Sequence, residues 1–169
     1  MTAAITIPVP TDAAAIARVG RTAFAEAFAH LFPAETLSRY LDRTWSEAKV
    51  SASLAKPGNR YLVARRHGEV VGLIKAKLDC PLPEGPAGAW HQLQKMYVLP
   101  AFQGQGIGST LVTALLEDIC AAGPAWWLQV HLGNLGAQRL YLRFGFREHH
   151  RGQVVLEGVP IDFLILVRG

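Results

Sequence analysis

The chain has little cysteine. Its 169 residues include two, Cys80 and Cys120, in unrelated surroundings and without the short spacing of a metal site or a disulfide framework. Both are expected to be reduced bystander thiols, and no metal is expected. Long hydrophobic runs are missing too: there is no stretch of about 18 apolar residues and no basic-then-apolar leader, so neither a membrane span nor a signal peptide is expected. The expectation is a soluble, cytoplasmic protein with no membrane partner. Charge of one sign is gathered nowhere. The formal net charge is +4, spread without the basic stripe and interleaved aromatics of a nucleic-acid surface, so nucleic acid is not an expected partner. A mild positive balance suits an anionic ligand such as a phosphorylated cofactor, as it also suits many proteins that bind none.

What is present is apolar residue content, half of the chain, enough at this length for one sizeable core and a single domain over 1–169. The pattern of those residues changes period along the chain. Ala4 to Val9 alternates as a first strand, and Pro10, Thr11 and Asp12 form a turn with a helix-start signature. Ile16, Val19, Ala23, Phe24, Ala27, Phe28 and Leu31 then recur at helical spacing. A second helical stretch begins at Pro33, carries Leu37, Tyr40, Leu41 and Trp45, and ends in the cluster from Lys56 to Asn59. Tyr61 to Arg66 and Val70 to Leu78 read as a hairpin turning at His67 and Gly68. After a loop rich in proline and glycine come a strand over 90–99, a helix over 107–119 stopped by Gly123 and Pro124, a strand over 125–132, a short helix over 135–144 and two closing strands. This order implies a mixed α/β sheet with helices on both faces, in which 90–132 is a βαβ crossover joining parallel neighbours.

The strand-to-helix junction of that crossover reads QGQGIGSTL from Gln103 to Leu111. Glycine at alternate positions lets something approach the main chain or lets the chain take positive φ. Free amides at a helix start, with the positive end of the helix dipole, favour phosphate oxygens; a bare strand-to-helix turn would use the same glycines. A dinucleotide fingerprint is excluded because the sixth position counted from Gly104 is Ser109, and a P-loop is excluded because no Gly-Lys-Ser/Thr ending follows.

The loop does match Q/R-x-x-G-x-G/A, as Gln103, Gly104, Gln105, Gly106, Ile107, Gly108. On these residues, on the continuation LQKMYVLPAFQGQGIGSTLVTALL, and on Asn134, Ala137, Tyr141 and Phe144-Gly145-Phe146, the chain resembles the GNAT superfamily of N-acetyltransferases. The likeness is strongest from Gln92 to Arg147. The resemblance implies a twisted, mostly antiparallel mixed sheet of about seven strands, with a splayed parallel pair at its centre. It also implies acetyl-CoA as acetyl donor, held by Gln103, Gly104, Gln105, Gly106, Ile107, Gly108 and Ser109 at the pyrophosphate. Met96, Tyr97 and Val98 would lie along the pantetheine arm, with a backbone amide from Val98 or its neighbour on the thioester carbonyl. Asn134 would bond the arm, although an asparagine before a helix is also a plain N-cap. Tyr141 matches the family's general acid.

Freeing the lone pair of an alkylammonium at pH 7 costs roughly 4 to 5 kcal/mol unless something removes the proton. Where family members often carry a glutamate, this chain has Gln94, between Leu93 and Lys95. That leaves His91, His131, Asp79 or a water as base, the two histidines because imidazole titrates near neutrality. The segment TAFAEAFAHLFPAETLSRYL, with YVLPAFQGQGIG, resembles a bacterial branch that acetylates polyamines, which implies acceptor contacts from Phe28, His30, Phe32 and Tyr40. Acidic residues for a polycation are few: Glu26, Glu35 and Asp162. A protein N-terminus or lysine, another small amine, or a non-catalytic acetyl-CoA sensor are the alternatives. A homodimer through the last strands is a further implication of the resemblance.

Overall fold

The computed structural model describes residues 2–119 and 123–169; Cys120 lies outside the described residues. In chain order come β1 (Ala4–Thr6), a 3-10 turn (Pro10–Asp12), α1 (Ala13–Phe28), a 3-10 turn (Ala29–Leu31), α2 (Ala34–Thr44), α3 (Glu47–Leu54), β2 (Asn59–Arg66), β3 (Glu69–Lys77) and β4 (Trp90–Val98). A 3-10 turn (Pro100–Phe102), α4 (Ile107–Asp118), β5 (Ala125–His131), α5 (Leu135–Arg143), β6 (Arg147–Leu156) and β7 (Val159–Arg168) follow. The strands form the seven-stranded mixed sheet that the sequence implies, in the order β1-β2-β3-β4-β5-β7-β6. β4 and β5 are parallel, while β1 with β2, β5 with β7 and β6 with β7 are antiparallel.

Two elements differ from the sequence reading: the first strand, expected to reach Val9, ends at Thr6, and the second helical stretch is divided. The single helical stretch after Pro33 is two helices, broken at Trp45 and Ser46. The Trp45 amide still closes α2 by donating to the Leu41 carbonyl at 2.8 Å, but Ser46 takes extended backbone and its hydroxyl accepts from the Lys49 amide at 3.2 Å, capping α3. Serine competes for backbone donors and so favours a cap over a helix interior. The hairpin between β2 and β3 turns where expected, with φ of 49° at His67 and 82° at Gly68, the pair of positive values that a two-residue turn needs to match strand twist.

The chain divides into two compact units, 1–75 with 95–120 and 76–94 with 121–169. In the first, helices flank both faces of the sheet. A Cβ added to Gly72 of β3 would sit 3.4 Å from both Ile107 Cγ2 and Leu111 Cδ1 of α4, and 3.3 Å from the Tyr97 carbonyl oxygen. Lys75, three residues on, faces the other way, with Nζ 5.6 Å from the ring centroid of Tyr61. The Tyr61 hydroxyl is in turn 2.8 Å from Ser53 Oγ of α3. Ile16, Val19, Val63, Leu73, Ile74, Leu111 and Leu115 form the buried interior of this unit. α1 bears on Trp45 so closely that a Cβ at Gly20 would come within 2.2 Å of the indole.

In the second unit Leu82, Trp127 and Ile165 are buried together, with Cys80, Trp90, Phe163 and Val167 packed on them. Leu82 belongs to the proline-rich loop, which is therefore anchored. The Cys80 amide donates to the Trp90 carbonyl and Trp127 Nε1 to the Cys80 carbonyl, each at 2.8 Å. The parallel ladder pairs Trp90 with Ala125, His91 with Trp126 and Gln92 with Trp127, whereas β5 pairs with β7 from Trp126–Arg168 to His131–Phe163.

Candidate active site

The glycine loop is built in the first unit from both flanks. β3 and β4 are still joined at Leu99, whose amide donates to the Val71 carbonyl at 2.9 Å; Pro100 then turns the chain. Gln103 reaches back, Nε2 to the Val98 carbonyl at 3.0 Å, and Gln105 Nε2 donates to the Ala101 carbonyl at 3.3 Å. Gly104 and Gly106 have φ of 72° and 79°, a conformation that costs an L-residue roughly 1–2 kcal/mol. A Cβ at either would meet nothing within 4 Å, so backbone conformation is the constraint and the space over the loop is open. Gly108 lies instead in the first turn of α4.

Gly106 is the N-cap of α4. The first helical bond runs from the Thr110 amide to the Gly106 carbonyl at 3.0 Å, and the Thr110 hydroxyl joins it at 3.0 Å. The amides of Ile107, Gly108 and Ser109 therefore have no acceptor within the helix. Three donors at the positive end of a twelve-residue helix make a site for an anion.

β4 leads into this loop through Lys95, Met96, Tyr97 and Val98, and its alternate residues Lys95 and Tyr97 meet an aromatic cluster. The Tyr97 ring stands edge-on to Trp45 at 5.5 Å between centroids and 6.4 Å from Phe24. Phe24 is the centre, 4.7 Å from Phe28, 4.8 Å from Tyr40 and 6.4 Å from Phe32. Lys95 Nζ lies 4.3 Å over the Trp45 ring, a cation–π arrangement worth about 0.5–2 kcal/mol depending on solvation. Burial pushes the Tyr40 phenol above its ordinary pKa, against the opposing pull of a hydrogen bond from Thr44 and the charge of Arg43.

Three of the four residues expected to meet the acceptor, Phe28, Phe32 and Tyr40, are thus gathered around Phe24, each half-buried; His30 is exposed in its 3-10 turn. Glu26 and Glu35 are exposed. Asp162, in the second unit, is exposed and accepts from Gln153 Nε2 at 2.8 Å. Sequence reasoning missed Phe24, Trp45 and Lys95 as members of this cluster. Phe24 had a signal, four residues before Phe28 on the same helix face. Trp45 had none, because its place depends on the break before α3.

The second unit holds His91, His131, Asn134 and Tyr141. His91 is 7 % exposed, and its Nδ1 accepts from the Asp79 amide at 3.0 Å while its ring stands edge-on to Trp126 at 5.2 Å. With the Nδ1 lone pair engaged, a neutral ring carries its proton on Nε2 and has no lone pair left to take another. His131 ends β5, half-buried, and its carbonyl accepts from the Asn134 amide at 2.9 Å and from Gln138 Nε2 at 3.2 Å. Asn134 caps α5 through Oδ1, which accepts from the Ala137 amide at 3.1 Å; its Nδ2 hydrogens are donors that the cap does not use. Tyr141 is 6 % exposed and edge-on to Phe146 at 5.8 Å. Burial pushes its phenol far above the usual tyrosine range. Such a group keeps its proton and acts as a donor. Gln94, at the position without the usual carboxylate, has its Oε1 buried with no hydrogen-bond partner, an acceptor that lacks a donor.

Comparison with known proteins bears on these arrangements. The sequence pattern described as the Acetyltransferase (GNAT) family matches residues 22–146. An aminoalkylphosphonate N-acetyltransferase of Salmonella typhimurium is 33% identical over 117 residues, 69% of this chain and 75% of that protein. The N-alpha-acetyltransferase RimI of Mycobacterium tuberculosis is 31% identical over 138 residues, 82% of this chain and 79% of that one. In structure, the PaiA N-acetyltransferase of Thermoplasma acidophilum, solved in complex with coenzyme A, shares the fold with a TM-score of 0.77 at 18% identity, over 97% of this chain and 98% of that chain.

Proposed function

The chain belongs to the acetyltransferase (GNAT) family and is an acetyl-CoA-dependent N-acetyltransferase, and we propose that its acceptor is a small primary alkylamine received against the aromatic cluster around Phe24. The observation that carries this reading is the cluster itself. Phe28, Phe32 and Tyr40 are half-buried, so each keeps part of its surface for a ligand, and aromatic faces attract alkylammonium groups and apolar stems alike. His30, exposed beside them in sequence, belongs to the same acceptor region.

The donor is held by the loop. The amides of Ile107, Gly108 and Ser109 take the pyrophosphate, while Gln103, Gly104, Gln105 and Gly106 set the loop's shape. Met96, Tyr97 and Val98 run beside the pantetheine arm, and the Val98 amide or its neighbour polarises the thioester carbonyl. Asn134 bonds the arm through Nδ2. In the transfer the amine nitrogen attacks the thioester carbon, the C–N bond forms and the C–S bond breaks; coenzyme A leaves as a thiolate, and the proton it later takes from solvent balances the one the amine nitrogen loses. Tyr141 supplies a hydrogen bond to the departing thiolate. A thiol has a reference pKa near 8.5, below tyrosine's near 10, and burial widens that gap, so the phenol stabilises the thiolate without surrendering its proton. His131 or a water takes the amine proton; the engaged Nδ1 of His91 leaves that ring a role in anchoring the loop.

Charge separates two kinds of acceptor within the class. A polyamine, which the sequence resemblance implies, is supported by the aromatic faces. An amine with an anionic tail, of the kind named for the Salmonella relative, is supported by Lys95 over Trp45. Thiol release from acetyl-CoA across polyamines, aminoalkylphosphonates, other small amines and short peptides tests the proposal. Turnover with small amines supports it, and turnover with peptides alone overturns it.

A further inference from the structure

Arg66 ends β2 five residues after Tyr61, and a strand's two-residue period therefore points it to the opposite face, the one that carries α4. There its Nη2 donates to Gln105 Oε1 at 2.9 Å, and its Nε is buried with no hydrogen-bond partner. Gln105 lies between the two positive-φ glycines of the loop. The guanidinium is thus tied to the positive end of a helix, where the macrodipole disfavours a cation and favours an anion. The neighbouring arginines of the strand are matched differently. Arg65 is paired with Asp12, Nη2 to Oδ2 at 2.6 Å, and Arg60 with Asp118, Nε to Oδ2 at 3.3 Å. Arg66 is held by a neutral amide.

A cation at a helix N-terminus is unfavourable alone, and an anion on the loop, met by the outer nitrogens of the guanidinium, resolves it. We propose that Arg66 is a ligand of the coenzyme A pyrophosphate, with Gln105 as the tether that holds its guanidinium beside the helix amides. This rests on the reading of the loop as the coenzyme A site. Arginine suits the task because its planar fork can face a phosphate with two donors while a third keeps the tether.

Calorimetry with coenzyme A and with dephospho-coenzyme A, which lacks the 3′-phosphate, tests the assignment on the full chain. Arg66→Gln is expected to weaken both ligands alike by about ten- to a hundredfold, the worth of one charge-assisted bond, and to flatten the salt dependence of affinity. Arg66→Lys recovers part of the loss, and Gln105→Ala, which removes only the tether, loses less than Arg66→Gln. Thermal unfolding of each variant shows whether the fold survives; a loss in Arg66→Gln that tracks a lowered melting temperature, with no recovery in Arg66→Lys, overturns the proposal. So does unchanged affinity for both ligands, and so does a loss for coenzyme A alone, which would put Arg66 on the 3′-phosphate. Gly106→Ala separates the two readings: normal coenzyme A binding there refutes the loop as the site, whereas its loss together with normal binding by Arg66→Gln refutes Arg66 only.

Discussion

Nδ1 of His91 and the backbone amide of Asp79 are 3.0 Å apart, the imidazole accepting. Asp79 has φ of 48°, an uncommon conformation for a residue with a side chain, and the bond fixes it where β3 passes into the proline-rich loop. His91→Phe keeps the ring's bulk against Trp126 but removes the acceptor. The expected result in urea unfolding is a loss of about 1–3 kcal/mol, the cost of an unsatisfied part-buried donor, with the shape of the pH–kcat profile unchanged. A profile that loses a limb would make His91 the base.

Tyr141→Phe should lower kcat by about ten- to a hundredfold, the worth of one hydrogen bond to a charged leaving group, and leave acetyl-CoA affinity as it is. Single-turnover kinetics beside calorimetry makes the distinction, and wild-type kcat in the variant would remove Tyr141 from the reaction.

Stability should fall in strong alkali. Tyr40, Tyr61 and Tyr141 all have phenols whose pKa burial raises. For a group raised on folding, the native state binds the extra proton, so the contribution is whole below the unfolded value near 10 and is lost as pH climbs through the folded one. Melting temperature is therefore expected to decline above about pH 10. Tyr141→Phe should decline less steeply, because the most strongly shifted of the three is then absent. Parallel curves for the two proteins would contradict this.

Gly20→Ala should be among the most damaging changes away from the loop. The new Cβ would lie 2.2 Å from two indole carbons of Trp45, and overpacking of this kind costs about 1–3 kcal/mol or more. Combined with Trp45→Leu, it should cost less than the sum of the two single changes. Additive losses in denaturant titrations would place the strain elsewhere.

How much of this was legible in the sequence depends on how local each cause is. The β2–β3 hairpin, the glycine loop and the stripe of α1 are written in spacings of two to four residues, and they stand close to where the sequence puts them. The break at Ser46 was hidden because apolar periodicity runs on across it, and a cap hydroxyl outweighs periodicity only once Trp45 is buried. Gln105 and Arg66 are separated by 39 positions, and no local pattern links a strand's last residue to a loop that far away. The anchoring bond of His91 was hidden for a related reason: its partner is a backbone amide, and main-chain donors leave no mark on side-chain identity. Tyr141 and Asn134 were singled out only because the resemblance supplied positions for them.

The chain's four tryptophans are Trp45, Trp90, Trp126 and Trp127, and Trp45 alone falls within 1–75 or 95–120. Its indole is 2 % exposed, with an ammonium above its face and a tyrosine ring at its edge. Light absorbed by Tyr97 is thereby placed within easy transfer distance of Trp45, whose colour and brightness respond to the field of Lys95. The protein carries in Trp45 an optical reporter of this cluster, readable without a label, and a ligand that displaces that lysine would announce itself in the emission spectrum.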